Sequence, residues 1–238
     1  MSSPDPTGAD PAEPAAAGPA APRSSARRRR RRIVLLVVAG LAVIVLAFAA
    51  ILVVPILTHR DGGSAHQEPF AEEWPTTAVA HGDDGRDRTL SVAAEDGSAL
   101  DTSALEPGER IVVRGTGYDP AQGIYVAVCA IPADPSIKPG PCLGGVPETE
   151  ASGAPAPEGT VQWAPSNWIN DDWAWKLFGA RPFDDPATGA FTAYLEVPAA
   201  ADANVDCRAT ACAIYTRDDH TALGDRVQDL YLPVGFAG

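Results

Sequence analysis

The stretch RIVVRGTGYDPAQGIYVAVC, residues 110–129, decides the fold. It opens with β-branched Ile111-Val112-Val113, breaks at Gly115-Thr116-Gly117 and Asp119-Pro120, and resumes as Ile124-Tyr125-Val126-Ala127-Val128-Cys129. Short β-branched and aromatic runs bounded by Gly, Pro and Asp are strand signals, and the same punctuation continues on both sides. Upstream, Leu90 and Val92 alternate with polar neighbours. Downstream, Phe191, Ala193, Leu195 and Val197 share one face of a strand, while Thr192, Tyr194 and Glu196 share the other. Cys212-Ala213-Ile214-Tyr215-Thr216 adds a further strand. The last places Leu230, Leu232, Val234 and Phe236 inward, with Pro233 on the outward register, which proline tolerates at a sheet edge or a bulge. About six strands are legible, and an all-β sandwich is the expected class.

The N-terminal part is of another kind. Residues 33 to 57 form an unbroken apolar run behind the arginine block Arg27 to Arg32. About 20 apolar residues span a bilayer as a helix, because a backbone in lipid must bond to itself. The expectation is a single-pass protein of the cell membrane, its partner the lipid bilayer through residues 33–57. The arginines remain cytoplasmic and the rest lies outside. The rival is a cleaved signal peptide, for which Ala47-Phe48-Ala49 offers small residues, but the run is longer than a signal core. Residues 1–32, rich in Pro, Ala and Ser before the arginines, read as a disordered cytoplasmic tail. Residues 58–87 are polar again and read as an extracytoplasmic stalk, with His59, His66 and His81 as solvated linker residues and Trp74 undecided between the domain and the membrane interface. The domain proper is expected over 88–238.

The net charge of −13 conceals opposed parts. Residues 1–57 carry seven arginines against three acids (+4), which leaves 11 Lys plus Arg against 28 Asp plus Glu (−17) for residues 58–238. So acidic a domain argues against nucleic acid as a partner. Lysine occurs only at 138 and 176, while Ala, Gly, Pro, Arg and Asp abound, as a GC-rich genome encodes, and an actinobacterial source is expected.

All four cysteines, Cys129, Cys142, Cys207 and Cys212, follow the apolar run, and an oxidising compartment makes them two disulfides. Three pairings are possible. The local ones, Cys129–Cys142 and Cys207–Cys212, are the economical choice, with loop-closure stabilisation of about 3 and 2 kcal/mol. Neither spacing resembles a structural zinc knuckle.

Between about 143 and 188 the sandwich pattern lapses. Trp163, Trp168, Trp173 and Trp175 crowd together with Phe178 and Phe183, and Asn167, Asn170, Asp171 and Asp172 interleave with the indoles. A loop of this length is expected to hold a hairpin or short helix, and Thr160-Val161-Gln162-Trp163 reads as a strand start. Large aromatics beside amide groups suit a ligand-binding surface, so Trp163, Trp168, Trp173, Trp175, Asn167 and Asn170 are the candidate site. The competing role for the indoles is core packing.

Four motifs together carry a family resemblance: Val113-x-Gly115-x-Gly117-Tyr118, Tyr125-x-Ala127-x-Cys129, Val205-Asp206-Cys207-x4-Cys212 and Val234-Gly235-Phe236. Over about residues 88 to 236 the chain resembles the neocarzinostatin family of actinobacterial apoproteins. The resemblance implies an immunoglobulin-like β-sandwich of about seven strands with two local disulfides, in a family some of whose members hold an enediyne chromophore in a cleft beside the sandwich. The chain departs from those carriers in its N-terminal apolar helix, in Pro132, Pro135, Pro139 and Pro141 within the first cysteine loop, and in the aromatic insert. It looks closer to a broader set of actinobacterial surface proteins in which Cys-x-x-Tyr-Thr-x-x-Asp-His, here Cys212 to His220, recurs, some of them beside haem-uptake modules.

No catalytic signature accompanies the fold: there is no Gly-x-Ser-x-Gly, no His-Glu-x-x-His and no phosphate loop. His220, with Asp218, Asp219 and Asp225 around it, reads as a loop-end histidine bonded to turn carboxylates, with a hydrolase general base as the alternative. Tyr215 and His220 are residue types that can ligate haem, and Asp218, Asp219, Asp225 and Asp229 could offer oxygens to calcium but lack the spacing of a calcium loop and read as surface turns. The expected function is a non-catalytic extracytoplasmic binding module with no cofactor and no metal, for a small apolar ligand or an envelope protein. The alternatives are a structural or haem-uptake-associated envelope protein and a hydrolase using His220.

Overall fold

The structure is a computed structural model that describes residues 23–144 and 161–238, with side chains from residue 27 onward. Helix α1, Arg23–Thr58, contains the apolar run and is long and apolar enough to cross a membrane. Everything described below belongs to the compact unit Ile51–Gly238.

Among the described residues, alternating or fully buried runs build eight strands: β1 (Thr77–His81), β2 (Asp87–Ala94), β3 (Arg110–Thr116), β4 (Ile124–Ala130), β5 (Ser166–Ile169), β6 (Phe191–Glu196), β7 (Cys212–Asp218) and β8 (Leu230–Val234). They pair antiparallel into two sheets, in the orders β1-β2-β3-β6 and β5-β4-β7-β8. Leu90, Val92, Ile111, Val113, Phe191, Ala193 and Leu195 of one sheet meet Ile124, Val126, Val128, Ile169, Ile214, Leu230 and Leu232 of the other in a single buried core. The chain is thus an all-β sandwich after an N-terminal helix. Pro233 lies opposite Ala213 on β8, an edge strand, as its missing N–H requires. Both local disulfides, Cys129–Cys142 and Cys207–Cys212, are formed.

The glycine motif has a steric cause. Gly115 lies under Phe191, whose ring a Cβ would strike at 2.1 Å, and Gly117 adopts φ +81 with the Asp87 carbonyl where a Cβ would stand. Tyr118, fully buried, meets Phe191 edge-on at 4.9 Å and shares a 3.0 Å hydrogen bond with Thr216 Oγ1, which ties the end of β3 to β7.

The insert also resolves into a physical device. Ala164 bridges Leu195 at the β6 edge, and the next residues, from Ser166, pair with β4 in the other sheet. The chain therefore changes sheets at Pro165. Asn167 braces this corner as a substitute peptide group: its Nδ2 donates to the Tyr194 carbonyl at 2.9 Å and its Oδ1 accepts the Tyr194 N–H at 3.2 Å. The strand expected to start at Thr160 instead occupies Ser166–Ile169, after the proline, and Thr160 lies outside the described residues. Helix α2, Trp173–Lys176, is the expected short helix, capped by Asp172, whose side chain accepts the Ala174 N–H at 2.9 Å.

Residues 58–87 are not a free stalk. They contribute β1, whose inward residues are only Ala78 and Ala80, and they lay a strap over the domain with Ala65 in the core and Phe70 packed on it. Two small alanines in a polar stretch give a weak periodic signal, which is why the strand is hard to read. Trp74 rests on the domain, within 3.4 Å of the position a Cβ on Gly235 would take. None of the three histidines is a plain linker residue: His59 bonds Asp225 at 2.9 Å, His66 bonds Asp83 at 2.7 Å, and His81 bonds Asp87. Gln67 does for β8 what Asn167 does for β6. Its Oε1 accepts the Tyr231 N–H at 2.8 Å and its Nε2 donates to the Tyr231 carbonyl at 3.2 Å, with Phe70 edge-on to the Tyr231 ring.

Gln67→Ala removes both bonds and leaves two strand groups to water, so a loss of about 1–3 kcal/mol in chemical denaturation is expected, with faster hydrogen exchange at the Tyr231 amide. Unchanged stability would return the strap to the status of a passive linker.

Candidate functional site

Strand parity sets Tyr125, Ala127 and Cys129 of β4 on the outer face of their sheet, opposite the core-facing Ile124, Val126 and Val128. At the β4 start this outer face meets Trp168 of β5, the α2 turn and the Asp219-His220-Thr221 segment that follows β7. The organising group is the buried Asp219 carboxylate. Its Oδ2 accepts Trp168 Nε1–H at 2.9 Å and Asn170 Nδ2–H at 3.0 Å, while its Oδ1 accepts the Thr221 backbone N–H at 2.8 Å and the Thr221 hydroxyl at 2.6 Å. Gly123 makes this possible, since a Cβ there would fall 1.9 Å from Asp219 Oδ2 and 2.2 Å from Asn170 Nδ2.

Asp219 aims the indole, and the indole walls in His220. The imidazole lies edge-to-face with Trp168 at 5.3 Å and with Trp175 at 4.8 Å, and roughly parallel to Tyr125 at 6.3 Å. Its Nδ1 shares a 2.8 Å hydrogen bond with the Tyr125 hydroxyl. Burial, reinforced by the Asp219 charge, pushes the Tyr125 phenol up to about 12, so it stays a neutral hydroxyl. The Arg217 guanidinium lies 5.6 Å from the Tyr125 ring centre. The expected loop-end histidine bonded to carboxylates is therefore a histidine in an aromatic box, bonded to a phenol. Tyr125 is the residue that sequence reasoning passed over as a site, although its outward register with Ala127 and Cys129 was available as a signal.

An open concavity of about 380 Å³ adjoins this box, lined by His59, Gln122, Asn170, Asp172, Trp175 and Thr221 among others. A larger one of about 470 Å³, lined by Asp101, Glu106, Pro107 and Glu109, holds no aromatic side chain and lacks the chemistry of a recognition site.

The candidate residues read from the sequence do not form one surface. Trp168, Trp175 and Asn170 converge on the box. Trp163 packs on Tyr194 at 5.3 Å and under Arg110 at 5.4 Å, beside the other sheet, because the chain has not yet changed sheets at that point. Asn167 is spent on the corner. Trp173 points to solvent, 57% exposed, together with Leu177 and Phe178. Tyr215 stacks on Tyr231 at 5.1 Å in a cluster separate from that of His220.

The acids expected at surface turns are largely buried. Asp218 and Asp219 are fully buried and Asp225 nearly so. Asp218 Oδ1 accepts Gln228 Nε2–H at 3.0 Å, while its Oδ2 has no hydrogen-bond partner among the described residues. Burial pushes the Asp218 carboxyl up to about 8 and Asp229 up to about 6, the latter opposed by the Arg226 guanidinium at 2.7 Å. Burial, with Arg217 and Arg226 adding to it, lowers Lys138 to about 8, and its Nζ donates to the carbonyls of Asp218 at 2.7 Å and Asp219 at 3.2 Å.

A sign follows for stability. Between its ordinary value of 3.8 and about 8, Asp218 keeps a proton in the folded chain that the unfolded chain has released. The folded state then binds more protons, and stability falls as pH rises through that window, by up to about 1.4 kcal/mol per pH unit for one proton. Melting curves should show the protein less stable at pH 8 than at pH 5, and Asp218→Asn should flatten that slope. A wild-type slope of the opposite sign would mean that the carboxyl is ionised in the fold.

No family model matches the chain, and no curated protein matches it. Among solved structures macromomycin aligns with 19% identity over 62% of this chain and 99% of its own length, with a TM-score of 0.34. This likeness is a distant one, and no residue role follows from it.

Proposed function

We infer that the chain is a single-pass membrane protein whose sandwich works outside the cytoplasm as a non-catalytic binding module, taking a flat apolar ligand at the Tyr125–Trp168–Trp175–His220 box. The observation that carries this reading is the concavity of about 380 Å³ that ends on Trp175, behind which Trp168, His220 and Tyr125 stand in ring contact. The lining sets the Trp175 indole beside polar groups, among them Gln122, Asn170, Asp172 and Thr221, and an aromatic face next to placed polar groups suits a ligand site. Anchoring by residues 33–57, with the tail of residues 1–32 in the cytoplasm, is supported by the arginine block before the apolar run and by two disulfides, which suit an oxidising compartment. The described contacts of His220 are a phenol and aromatic rings, which favour binding over hydrolysis.

A second reading, docking of an envelope protein, draws on the outward side of α2, where Trp173, Leu177 and Phe178 are exposed together. The two readings separate by mutation.

With haemin as a planar apolar probe, quenching of tryptophan fluorescence is expected in the wild type and in Trp173→Ala, and is expected to vanish in Trp175→Ala at little cost in melting temperature. Trp168→Ala, which deletes a buried indole, should instead destabilise by about 3–5 kcal/mol. Quenching retained in Trp175→Ala would remove the box as the site.

A further inference from the structure

We propose that His59, Asp61 and Asp225 form a binding site for a divalent transition-metal ion of the zinc type. One ligand atom from each of the three lies within 4.8 Å of the others. His59 Nε2 is 2.9 Å from Asp225 Oδ2 and 3.8 Å from Asp61 Oδ1. Zinc bonds of about 2.0–2.2 Å set the ligand atoms of a tetrahedral site roughly 3.3–3.5 Å apart; the two spacings from His59 bracket that requirement, and the exposed Asp61 side chain has room to close on Asp225.

The donor set chooses among metals. One imidazole nitrogen with two carboxylates suits zinc and its neighbours, whereas calcium and magnesium are held by oxygen alone. The set is also prearranged. The Asp225 carboxylate is 1% exposed and cannot swing freely, because its Oδ2 accepts the Gly62 N–H at 2.7 Å and its Oδ1 accepts the Val227 N–H at 3.0 Å. Backbone donors behind a ligating carboxylate are the support that metal sites use to fix their ligands. The His59 side chain is only 11% exposed, while that of Asp61 is 69% exposed, so the site is closed on one side and open to water on the other. Three protein ligands and one open position are the arrangement of a zinc site that keeps a water molecule.

The site has a structural meaning. Two ligands come from the start of the strap and the third from the β7–β8 connection, 166 positions from His59. An ion there would add a coordinate staple between the strap and the sandwich to the hydrogen bonds that Gly62 and His59 already make to Asp225. Binding and folding are then linked, and zinc raises stability with the logarithm of its free concentration once that exceeds the dissociation constant.

The test uses the full chain in detergent micelles, free of any histidine tag, titrated with zinc chloride by calorimetry and followed in parallel by melting temperature. One zinc per chain and a rise in melting temperature that a chelator reverses are expected. Asp61→Asn, at an exposed position that the fold does not need, and His59→Gln should each abolish both signals. His66→Gln, which removes the exposed histidine paired with Asp83, should leave both unchanged. The absence of binding, binding retained in Asp61→Asn, or binding lost in His66→Gln would each overturn the site.

Discussion

One buried carboxylate governs the end of the molecule that holds the aromatic box. Asp219 is surrounded by four donors, two from its own turn and two from β5 and the residue after it. A buried charge is tolerable only when its lone pairs are met, and meeting them dictates the neighbours. The indole of Trp168 must present its N–H, Asn170 must turn its amide inward, and residue 123 must lack a Cβ. The orientation of the box is thus set by polar bonds behind its rings. An aromatic wall held in this way is rigid, since its indole is aimed by the Asp219 bond.

Two side-chain amides solve a second problem, that of sheet edges. Asn167 pairs with Tyr194 on β6, and Gln67 pairs with Tyr231 on β8, each offering one donor and one acceptor to a residue whose strand partner lies on one side only. The first makes the change of sheets at Pro165 possible, and hence divides the tryptophans between two surfaces. The second fastens the strap that carries His59 and Asp61. Both follow from one requirement: backbone groups away from water need partners.

The strands rich in Val, Ile and Leu were legible in the sequence because each alternates large apolar residues with polar ones or joins a fully buried run. Pro233 declared its edge position, and the cysteine spacings favoured the bridges that form. The strand β1 was not legible, because Ala78 and Ala80 bury too little surface to stand out from a polar stretch. Nor was the site, for a different reason. His220 and Tyr125 are 95 positions apart, and only the pairing of β4 with β7 brings them together. The local density of indoles between 163 and 175 suggested one surface, but a change of sheets within that segment placed neighbours in sequence on separate faces. Asp218, Asp219 and Asp225 looked like turn residues because acids in loops usually are; their burial depends on long-range partners such as Gly123, Gln228 and His59 that no spacing rule records.

The Gln67 bonds also bear on what the β8 edge can pair with. An edge strand with free backbone groups is a template on which another chain can add a strand. By pairing with Tyr231, the strap fills one of the places where such growth would begin. Detaching it would do more than loosen the domain, since the Tyr231 backbone groups would then be open to a strand from another chain.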